Sequence, residues 1–252
     1  AHVLACMAEN DVAAPLLGVS WDGTGLGVDQ TIWGGEFLRV TEHAFERAGH
    51  LRCFRLPGGD KAAQEPRRAA IGLLHALLGD AAFGDATLAS VAAFTATELK
   101  GIRQMLERRV NTPTTSSAGR LFDAVASLLG LRQKAGFEGQ AALDLEFALD
   151  DAQTDDAYPI QACQPAALIS PAGTAPAQGA VRSAPDASSG PPPQFVLDWA
   201  PMIQGVLDDL RLRVPACEIS ARFHNTLAEG ILAAARSAGE RRVVLSGGCF
   251  QN

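Results

Sequence analysis

The fold of this chain is decided by the stretch Gly18-Val19-Ser20-Trp21-Asp22-Gly23-Thr24-Gly25-Leu26-Gly27. The apolar residues before Asp22 predict a buried strand, and the glycines after it predict a turn. The backbone N–H groups of such a turn can close around a phosphate, which makes Gly23, Thr24 and Gly25 candidate phosphate-binding residues. Asp22 is placed to hold a divalent cation beside that phosphate. The alternative interpretation is a simple β-turn closed by an Asx hydrogen bond.

A segment of the same form lies near the end of the chain, at Arg242-Val243-Val244-Leu245-Ser246-Gly247-Gly248. We expect its apolar strand to be buried and to end at a crevice of the kind in which α/β sheets bind ligands. Gly247 and Gly248 would let a ribose or purine approach the backbone, and Asn252 offers a donor and an acceptor. Two strand-then-glycine segments predict a nucleotide held between two lobes.

The composition excludes several classes of protein. The chain has 252 residues, 47% of them hydrophobic, which is enough for one large core or two modest ones. A net charge of −7 argues against a nucleic-acid partner, and no apolar run is long enough to predict a membrane partner. Five widely spaced cysteines are typical of reduced thiols, so we expect a cytoplasmic protein.

The hydrophobic periodicity predicts a mixed sheet followed by helices. We expect a helix at 2–9, strands at 16–21, 30–33, 34–40 and 51–56, helices between 65 and 131 and at 140–149, 195–212 and 219–238, and a last strand at 242–245. Residues 150–193 are rich in Pro, Ser and Ala and predict a mobile surface insertion. The chain begins inside a helical pattern and stops after a glycine turn, which predicts a fragment truncated at both ends.

The segment 116–123 places hydroxyls and free N–H groups at the start of a predicted helix. Ser117 and Gly119 are therefore candidates for binding an anion. Arg120 and Asp123 share one face of that helix, and the alternative interpretation is a capped helix with a surface ion pair.

Two further residues are candidates on their own. His2 can ligate a metal if a second histidine lies four residues upstream, and the alternative is an ordinary surface histidine. Glu138 is either a sugar-binding carboxylate or only a charge at a helix start.

Eight segments in order resemble one family, the TsaD-like C-terminal domain of the HypF carbamoyltransferases. They are Ala1-His2 through Asn10, Trp21-Asp22-Gly23-Thr24-Gly25, Ile32-Trp33-Gly34-Gly35-Glu36-Phe37, Leu56-Pro57-Gly58-Gly59-Asp60-Lys61, Thr115 through Val125, Phe137-Glu138-Gly139-Gln140-Ala141-Ala142, Ile219-Ser220-Ala221-Arg222-Phe223-His224, and Leu245 through Asn252.

The resemblance implies an α/β fold, namely an actin/hexokinase-like ATPase core of two ribonuclease-H-like lobes. The lobes would be 1–110, with a helical extension, and 111–252, with the insertion. In the family, acylphosphatase, zinc-finger-like and YrdC-like domains come first and convert carbamoyl phosphate and ATP into carbamoyl-adenylate. The TsaD-like domain then passes the carbamoyl group to the C-terminal cysteine of HypE, for the cyanide ligands of nickel–iron hydrogenase.

The resemblance also assigns roles to residues. His2 matches the second histidine of an H-x-x-x-H metal motif whose first histidine would precede Ala1, and Asp22 matches the aspartate facing the metal and phosphate. Gly247, Gly248 and Asn252 match the adenosine loop, and a last metal aspartate would lie beyond Asn252. We take Asp22 and Arg120 as the catalytic candidates.

Two alternatives remain beside this interpretation. A tRNA threonylcarbamoyl transferase of the TsaD type shares the fold, but that family has glutamate in place of Arg120 and Ser-Gly-Gly in place of Trp21-Asp22. The acidic net charge also disfavours tRNA as a substrate. The second alternative is a non-catalytic docking module for HypE.

The composition of the predicted insertion gives a first testable expectation. Replacing residues 167–192 with a short Gly/Ser linker should leave the melting temperature within a few degrees, because this segment cannot offset its own ordering entropy. Thermal unfolding followed by circular dichroism measures the change. A large loss of stability would mean that the segment packs on the core.

Overall fold

A computed structural model describes residues 1–149, 152, 154–165 and 193–251. Its helices are α1 His2–Glu9, α2 Lys61–Gln64, α3 Pro66–Leu78, α4 Ala89–Ala92, α5 Ala96–Arg108, α6 Ala118–Leu128, α7 Gln140–Phe147, α8 Ala200–Leu212 and α9 Ala216–Ala238. Its strands are β1 Leu16–Leu26, β2 Ile32–Val40, β3 Phe45–Leu51, β4 Phe54–Arg55, β5 Thr114–Thr115, β6 Gln161–Cys163, β7 Phe195–Asp198 and β8 Val243–Ser246. Short 3₁₀ turns lie at Gly79–Phe83 and Gly248–Phe250.

The strands form one mixed sheet. β1, β2 and β3 are antiparallel neighbours within it. β8 pairs in parallel with β1, and β7 pairs in parallel with β3 and antiparallel with β6. The short β4–β5 pair joins the sheet at Ile32, the first residue of β2. The predicted mixed α/β architecture is therefore present.

The glycine run after Asp22 belongs to β1, and the prediction of a turn there was wrong. β1 continues to Leu26 opposite β2, with a bulge between Trp21 and Gly25 that interrupts the pairing. The chain reverses only at 27–31, where the N–H of Gly27 donates to the carbonyl of Thr31. A bulge leaves unpaired backbone groups on a strand, so the glycines produce an irregular strand and not its end.

Three other sequence expectations differ from the structure. The segment 195–212 was predicted as one helix, but its first four residues form β7 and only Ala200–Leu212 is helical. The four residues of β7, three of them apolar, are buried beside β3. The strand expected at 51–56 is divided between the end of β3 and the short β4. β8 is not fully buried, since Val243 is 36% and Leu245 45% exposed. Among the described strands β8 pairs with β1 alone, so alternate side chains face outward.

The helix α6 is the centre of the core. Its residues are buried from Ala118 through Leu128, on every face, and it packs on α3, α7 and the sheet. The Ser117 side chain caps its first turn by accepting the Arg120 N–H at 3.1 Å. Burial on all sides fixes α6 firmly, and its N-terminal residues are therefore held at one place against β1.

The two predicted lobes share this sheet, because β1 from 1–110 pairs with β8 from 111–252. The lobe division stays a prediction, with no boundary between two sheets at residue 110 in the described part of the chain. Part of the predicted insertion is ordered: Tyr158 is buried and donates to Asp209, and β6 pairs with β7. Residues 150, 151, 153 and 166–192 of the insertion lie outside the described residues. Within the described ranges, none of the helices has the length and apolar character needed to cross a bilayer.

Two helix-interior glycines make a matched test of the packing. A Cβ on Gly72 in α3 would overlap the carbonyl oxygen of Arg55, whereas a Cβ on Gly101 in α5 meets no atom within 4 Å. We expect Gly72→Ala to lower the free energy of unfolding by about 2 kcal/mol or more through overpacking. Gly101→Ala should raise it by about 0.5–1 kcal/mol, since alanine is the better helix former.

Urea denaturation of both variants measures the two changes. Equal effects at the two positions would contradict the close approach of α3 to the chain at Arg55.

Candidate active site

Asp22 lies at the bulge of β1 with its carboxylate partly exposed. Its Oδ1 accepts the N–H of Gly23 at 2.8 Å, and its side chain is 32% exposed. The bulge interrupts the regular pairing with β2 at this residue. Bulges re-aim side chains next to active sites, and here the bulge leaves one carboxylate oxygen available to a ligand.

His2 lies beside Asp22, as expected for a shared site. Its Nε2 is 3.3 Å from Asp22 Oδ2, and its backbone carbonyl accepts the Ser246 hydroxyl at 3.1 Å. The start of α1 is thereby tied to the end of β8. An imidazole nitrogen and a carboxylate oxygen are both suitable metal ligands. In the part of the chain that the structure describes, no group of three or more His, Cys, Asp or Glu is arranged to hold a metal.

The N-terminus of α6 reaches β1 through a hydroxyl and a glycine. The Ser117 hydroxyl shares its proton between the carbonyl oxygens of Asp22 at 2.7 Å and Gly23 at 2.8 Å. A Cβ on Gly119 would lie 2.7 Å from the Cα of Gly23. The absence of that Cβ lets the helix lie directly on the strand, and this brings Arg120 beside Asp22 and Gly23.

Arg120 and Asp123 form a buried pair on α6. Their side chains are 3% and 4% exposed, and Arg120 Nη1 is 3.1 Å from Asp123 Oδ2. The pair lacks hydrogen-bond geometry, so Nε and Nη1 of Arg120 and Oδ2 of Asp123 have no hydrogen-bond partner. Burial raises the pKa of Asp123 to about 6, although Arg120 opposes the rise; Glu138 adds to it. The expected surface ion pair is therefore an incompletely satisfied buried one.

Glu138 precedes α7, and its carboxylate lies near Gly23, as the guanidinium of Arg120 does. A Cβ placed on Gly23 would lie 3.0 Å from Glu138 Oε1 and 3.3 Å from Arg120 Nη2. The missing side chain of Gly23 thus makes room for a carboxylate and a guanidinium above the strand. Three carboxylates, on Asp22, Asp123 and Glu138, surround one guanidinium.

Two cavities meet at these residues. The smaller, of about 350 Å³, is lined by Asp22, Gly23, Gly119, Arg120, Asp123, Glu138, Gly139, Ala142, Leu143, Gly248, Cys249 and Gln251. The larger, of about 680 Å³, is lined by Thr24, Ile32, Leu56, Gly59, Asp60, Ala63, Gln64, Arg120, Ala135, Gly136, Phe137 and Glu138. Arg120 and Glu138 belong to both.

The second glycine segment closes the smaller cavity. A Cβ on Gly248 would lie 3.1 Å from Asp22 Oδ1. Gly247, at φ +108°, allows the chain to pass over the backbone of Trp21, whose carbonyl oxygen a Cβ there would overlap. Cys249 is half-buried, and desolvation raises the pKa of its thiol to about 12, so this residue of the cavity wall is neutral at pH 7. Asn252 lies outside the described residues.

The structure brings most of the predicted residues together, but four of the described ones line neither cavity. Gly25 pairs with Trp33 in the sheet, Ser117 is engaged with backbone groups, and Gly247 packs on Trp21. His2, the fourth, contacts Asp22 from outside both linings. Asp60 and Gln64 line the larger cavity and were missed as site residues. The available signal was the segment 56–61, which the sequence analysis used for the family resemblance without assigning a site role to its residues.

A buried network behind the site was also missed. Glu36 is 2% exposed and accepts from Arg47 Nε at 2.7 Å and from the Ser116 hydroxyl. Arg47 also donates to Asp29 at 3.0 Å and covers the Trp33 ring at 4.2 Å. This network ties β2 and β3 to the residue before Ser117. A single glutamate inside a strand gives no sequence signal for such a role.

Comparisons with known proteins show the family to which the chain belongs. A family model described as the second subdomain of the Kae1-like domain of carbamoyltransferases matches residues 18–252. The carbamoyltransferase HypF of Synechocystis sp. is 34% identical over 269 residues, covering 100% of this chain and 31% of the relative. A HypF homologue of Cupriavidus necator is 36% identical over 258 residues, covering 100% of this chain and 59% of that protein.

Solved structures give the same result. A crystal structure of full-length HypF in its phosphate- and nucleotide-bound form has a TM-score of 0.79 at 30% identity, covering 100% of this chain and 35% of that one. The structure of T. kodakarensis HypF has a TM-score of 0.77 at 26% identity, covering 100% of this chain and 30% of that one.

The fold is therefore that of a Kae1-like, ATPase-fold domain, as expected from the sequence. Within that class, the chain belongs to the HypF carbamoyltransferases, a family of enzymes. It spans 31% of the Synechocystis relative and 59% of the Cupriavidus one.

The raised pKa of Asp123 predicts a pH dependence of stability. The carboxyl of Asp123 binds its proton more tightly in the native state than in the unfolded state. Its protonation therefore adds to the free energy of unfolding in full below about pH 4, and this addition is lost as the pH rises through about 6. The loss is of the order of 2–3 kcal/mol. Asp123→Asn should therefore gain stability relative to the parent protein as pH rises from 4 to 7.

Urea denaturation across this range measures the difference. Asp123→Asn leaves Arg120 without its counter-ion, and the resulting loss of stability is the same at each pH. It therefore does not change the slope of the variant's free energy of unfolding against pH. Asp208→Asn, at an exposed carboxylate on α8, is the control. Parallel stability curves for the parent and Asp123→Asn would contradict the assignment.

Proposed function

We propose that this chain is the domain that transfers a carbamoyl group from carbamoyl-adenylate to the C-terminal cysteine thiol of HypE. One observation carries the proposal: Asp22 of β1, Arg120 and Asp123 of α6, and Gly248 after β8 converge on a single cavity in a chain of the HypF family. The product would become a cyanide ligand of nickel–iron hydrogenase.

The adenylate fits the smaller cavity. Gly119 and Gly248 expose backbone to it, so a ribose or purine can approach closely. Asp123 and Glu138 offer carboxylate oxygens to ribose hydroxyls. The expected contact of Asn252 with the adenosine stays a prediction. One solved relative is described as phosphate- and nucleotide-bound, which supports a nucleotide here.

The charges favour a cation in this cavity. Asp22, Asp123 and Glu138 would repel the phosphate of an adenylate, and one guanidinium does not balance them. We propose that His2 and Asp22 provide two ligands to a divalent metal ion. When bound, the metal would stabilise negative charge on the phosphate.

The chain's own residues bind and orient, and the nucleophile comes from the partner. The neutral thiol of Cys249 makes it unsuitable as an intermediate carrier of the carbamoyl group. Ser117 holds α6 against β1, which keeps Arg120 and Asp22 at a fixed separation. We propose that acylphosphatase, zinc-finger-like and YrdC-like domains of the same protein make the adenylate from ATP and carbamoyl phosphate.

Substitution of Asp22 tests the proposal. In the protein with all its domains, Asp22→Ala should lower HypE carbamoylation by at least about 100-fold, since it removes charge stabilisation at the leaving phosphate. Carbamoyl-adenylate formation, followed by carbamoyl-phosphate-dependent exchange of pyrophosphate into ATP, should stay unchanged. Asp208→Ala, at a surface ion pair with Arg211, is the matched control.

Mass spectrometry of HypE measures the transferred group. Transfer at the wild-type rate by Asp22→Ala would eliminate this site as the transfer centre. Wild-type transfer would also be expected if the chain were only a docking module, because HypE binding would then be its sole contribution.

A further inference from the structure

The guanidinium of Arg120 lies at the boundary between the two cavities. The side chain is 3% exposed and lines both cavities. No other cationic side chain among the described residues lines either cavity. If the nucleotide occupies the smaller cavity, as the proposed function requires, then Arg120 separates it from the larger one.

Arg120 has hydrogen-bonding capacity that the protein does not use. Its Nε and Nη1 have no hydrogen-bond partner, and neither has Oδ2 of the neighbouring Asp123. Buried polar groups in folded proteins are nearly all hydrogen-bonded, and an unpaired one costs about 1–3 kcal/mol. A buried guanidinium that lines both cavities, and whose Nε and Nη1 lack a hydrogen bond, is therefore suited to a ligand that accepts hydrogen bonds.

The larger cavity has the character of an entrance for a peptide. Its size of about 680 Å³ lies in the range of ligand sites. Its walls combine apolar side chains, such as Ile32 and Leu56, with the amide of Gln64, and Phe137 is 57% exposed. A group that enters along these walls reaches Arg120 before it reaches the adenylate.

We propose that the larger cavity admits the cysteine-bearing tail of the acceptor protein and that Arg120 holds the acceptor thiolate beside the carbamoyl carbon. This inference rests on the proposed function and adds to it a route for the acceptor and a role for one residue. Arg120 is then a catalytic residue, because it touches the reacting sulfur.

The chemical step needs no further reactant. The thiol loses its proton to water in the open larger cavity, and the sulfur attacks the carbamoyl carbon. The C–S bond forms while the bond from that carbon to the phosphate oxygen breaks. The electron pair leaves on the phosphate oxygen of AMP, so the products are a thiocarbamate and AMP.

The surrounding charges explain why a cation is needed there. The titratable groups around the guanidinium are Asp22 on β1, Asp123 on α6, Glu138 before α7 and Cys249 after β8, and Asp60 lines the larger cavity. The carboxylates among them repel a thiolate. A neighbouring guanidinium favours the thiolate and lowers the pKa of an attacking thiol.

Substitutions at Arg120 test this role in the protein with all its domains and with HypE as the acceptor. Arg120→Gln should lower the rate of transfer by about 100-fold, as expected for loss of one charge-stabilising donor. The acidic limb of the rate–pH profile should move up by about one pH unit, because the acceptor thiol is no longer stabilised as thiolate. Arg120→Lys keeps a positive charge, so its transfer rate and the position of its acidic limb should lie between those of the parent protein and of Arg120→Gln.

The affinity for AMP distinguishes this role from a contact to phosphate. Calorimetric titration with AMP should give affinities within about threefold for the parent and Arg120→Gln. If AMP affinity falls in parallel with transfer while the pH limb stays in place, then Arg120 binds the nucleotide and the thiolate assignment is wrong.

A second variant tests the route without touching Arg120. Ala63 lines only the larger cavity, so Ala63→Trp should narrow the entrance. We expect a rise of at least about tenfold in the KM for HypE, while AMP affinity and the transfer to a small free thiol stay unchanged. Ala92→Trp, at an exposed position on α4, is the control.

The outcomes separate this inference from the proposed function. An unchanged KM for HypE in Ala63→Trp would overturn the route through the larger cavity. If the parent protein carbamoylates HypE but both Arg120 variants match it, only this inference fails. If the parent protein transfers no carbamoyl group to HypE, the proposed function fails.

Discussion

The hydroxyl of Ser117 joins the two parts of the candidate site. It accepts the Arg120 N–H and so caps α6, and it donates its proton to the backbone carbonyls of Asp22 and Gly23 on β1. One side chain therefore sets the distance between a helix that carries Arg120 and Asp123 and a strand that carries Asp22. The buried network of Glu36 behind Ser116 fixes the segment that leads into this cap. Since α6 is buried on every face, the geometry cannot relax without disturbing the core.

Several glycines of the site serve packing as well as ligand access. Gly119 lets α6 lie on Gly23, and Gly247 lets the end of β8 cross Trp21. Gly23 leaves room for Arg120 and Glu138. The sequence interpretation assigned these glycines to contact with a phosphate, ribose or purine, because a backbone left open to a ligand and a missing Cβ under a helix give the same pattern. Only the tertiary structure tells these two uses apart.

The sequence was sufficient where local chemistry decides the structure. The bounds of α1 and the cap before α6 follow from helical periodicity and hydroxyl residues, and the family relationship followed from ordered motifs. It was insufficient where distant pairing decides. Residues 195–198 continue the helical pattern of α8 yet form a strand, because this short apolar segment pairs with β3. Asp60 lines a cavity only because α2 is placed opposite α6, and its own neighbours suggest no more than a turn.

The parallel pairing of β1 with β8 has a kinetic consequence. Asp22 and Gly248 come together only when the chain has closed a loop that includes nearly all the described helices and strands. Contacts of such long sequence separation carry a high closure entropy and form slowly. The site is thus absent from any partly folded chain, including one still emerging during synthesis. Nucleotide binding at the proposed site would then report completion of the fold, and a ligand bound there would stabilise the closed chain as a whole.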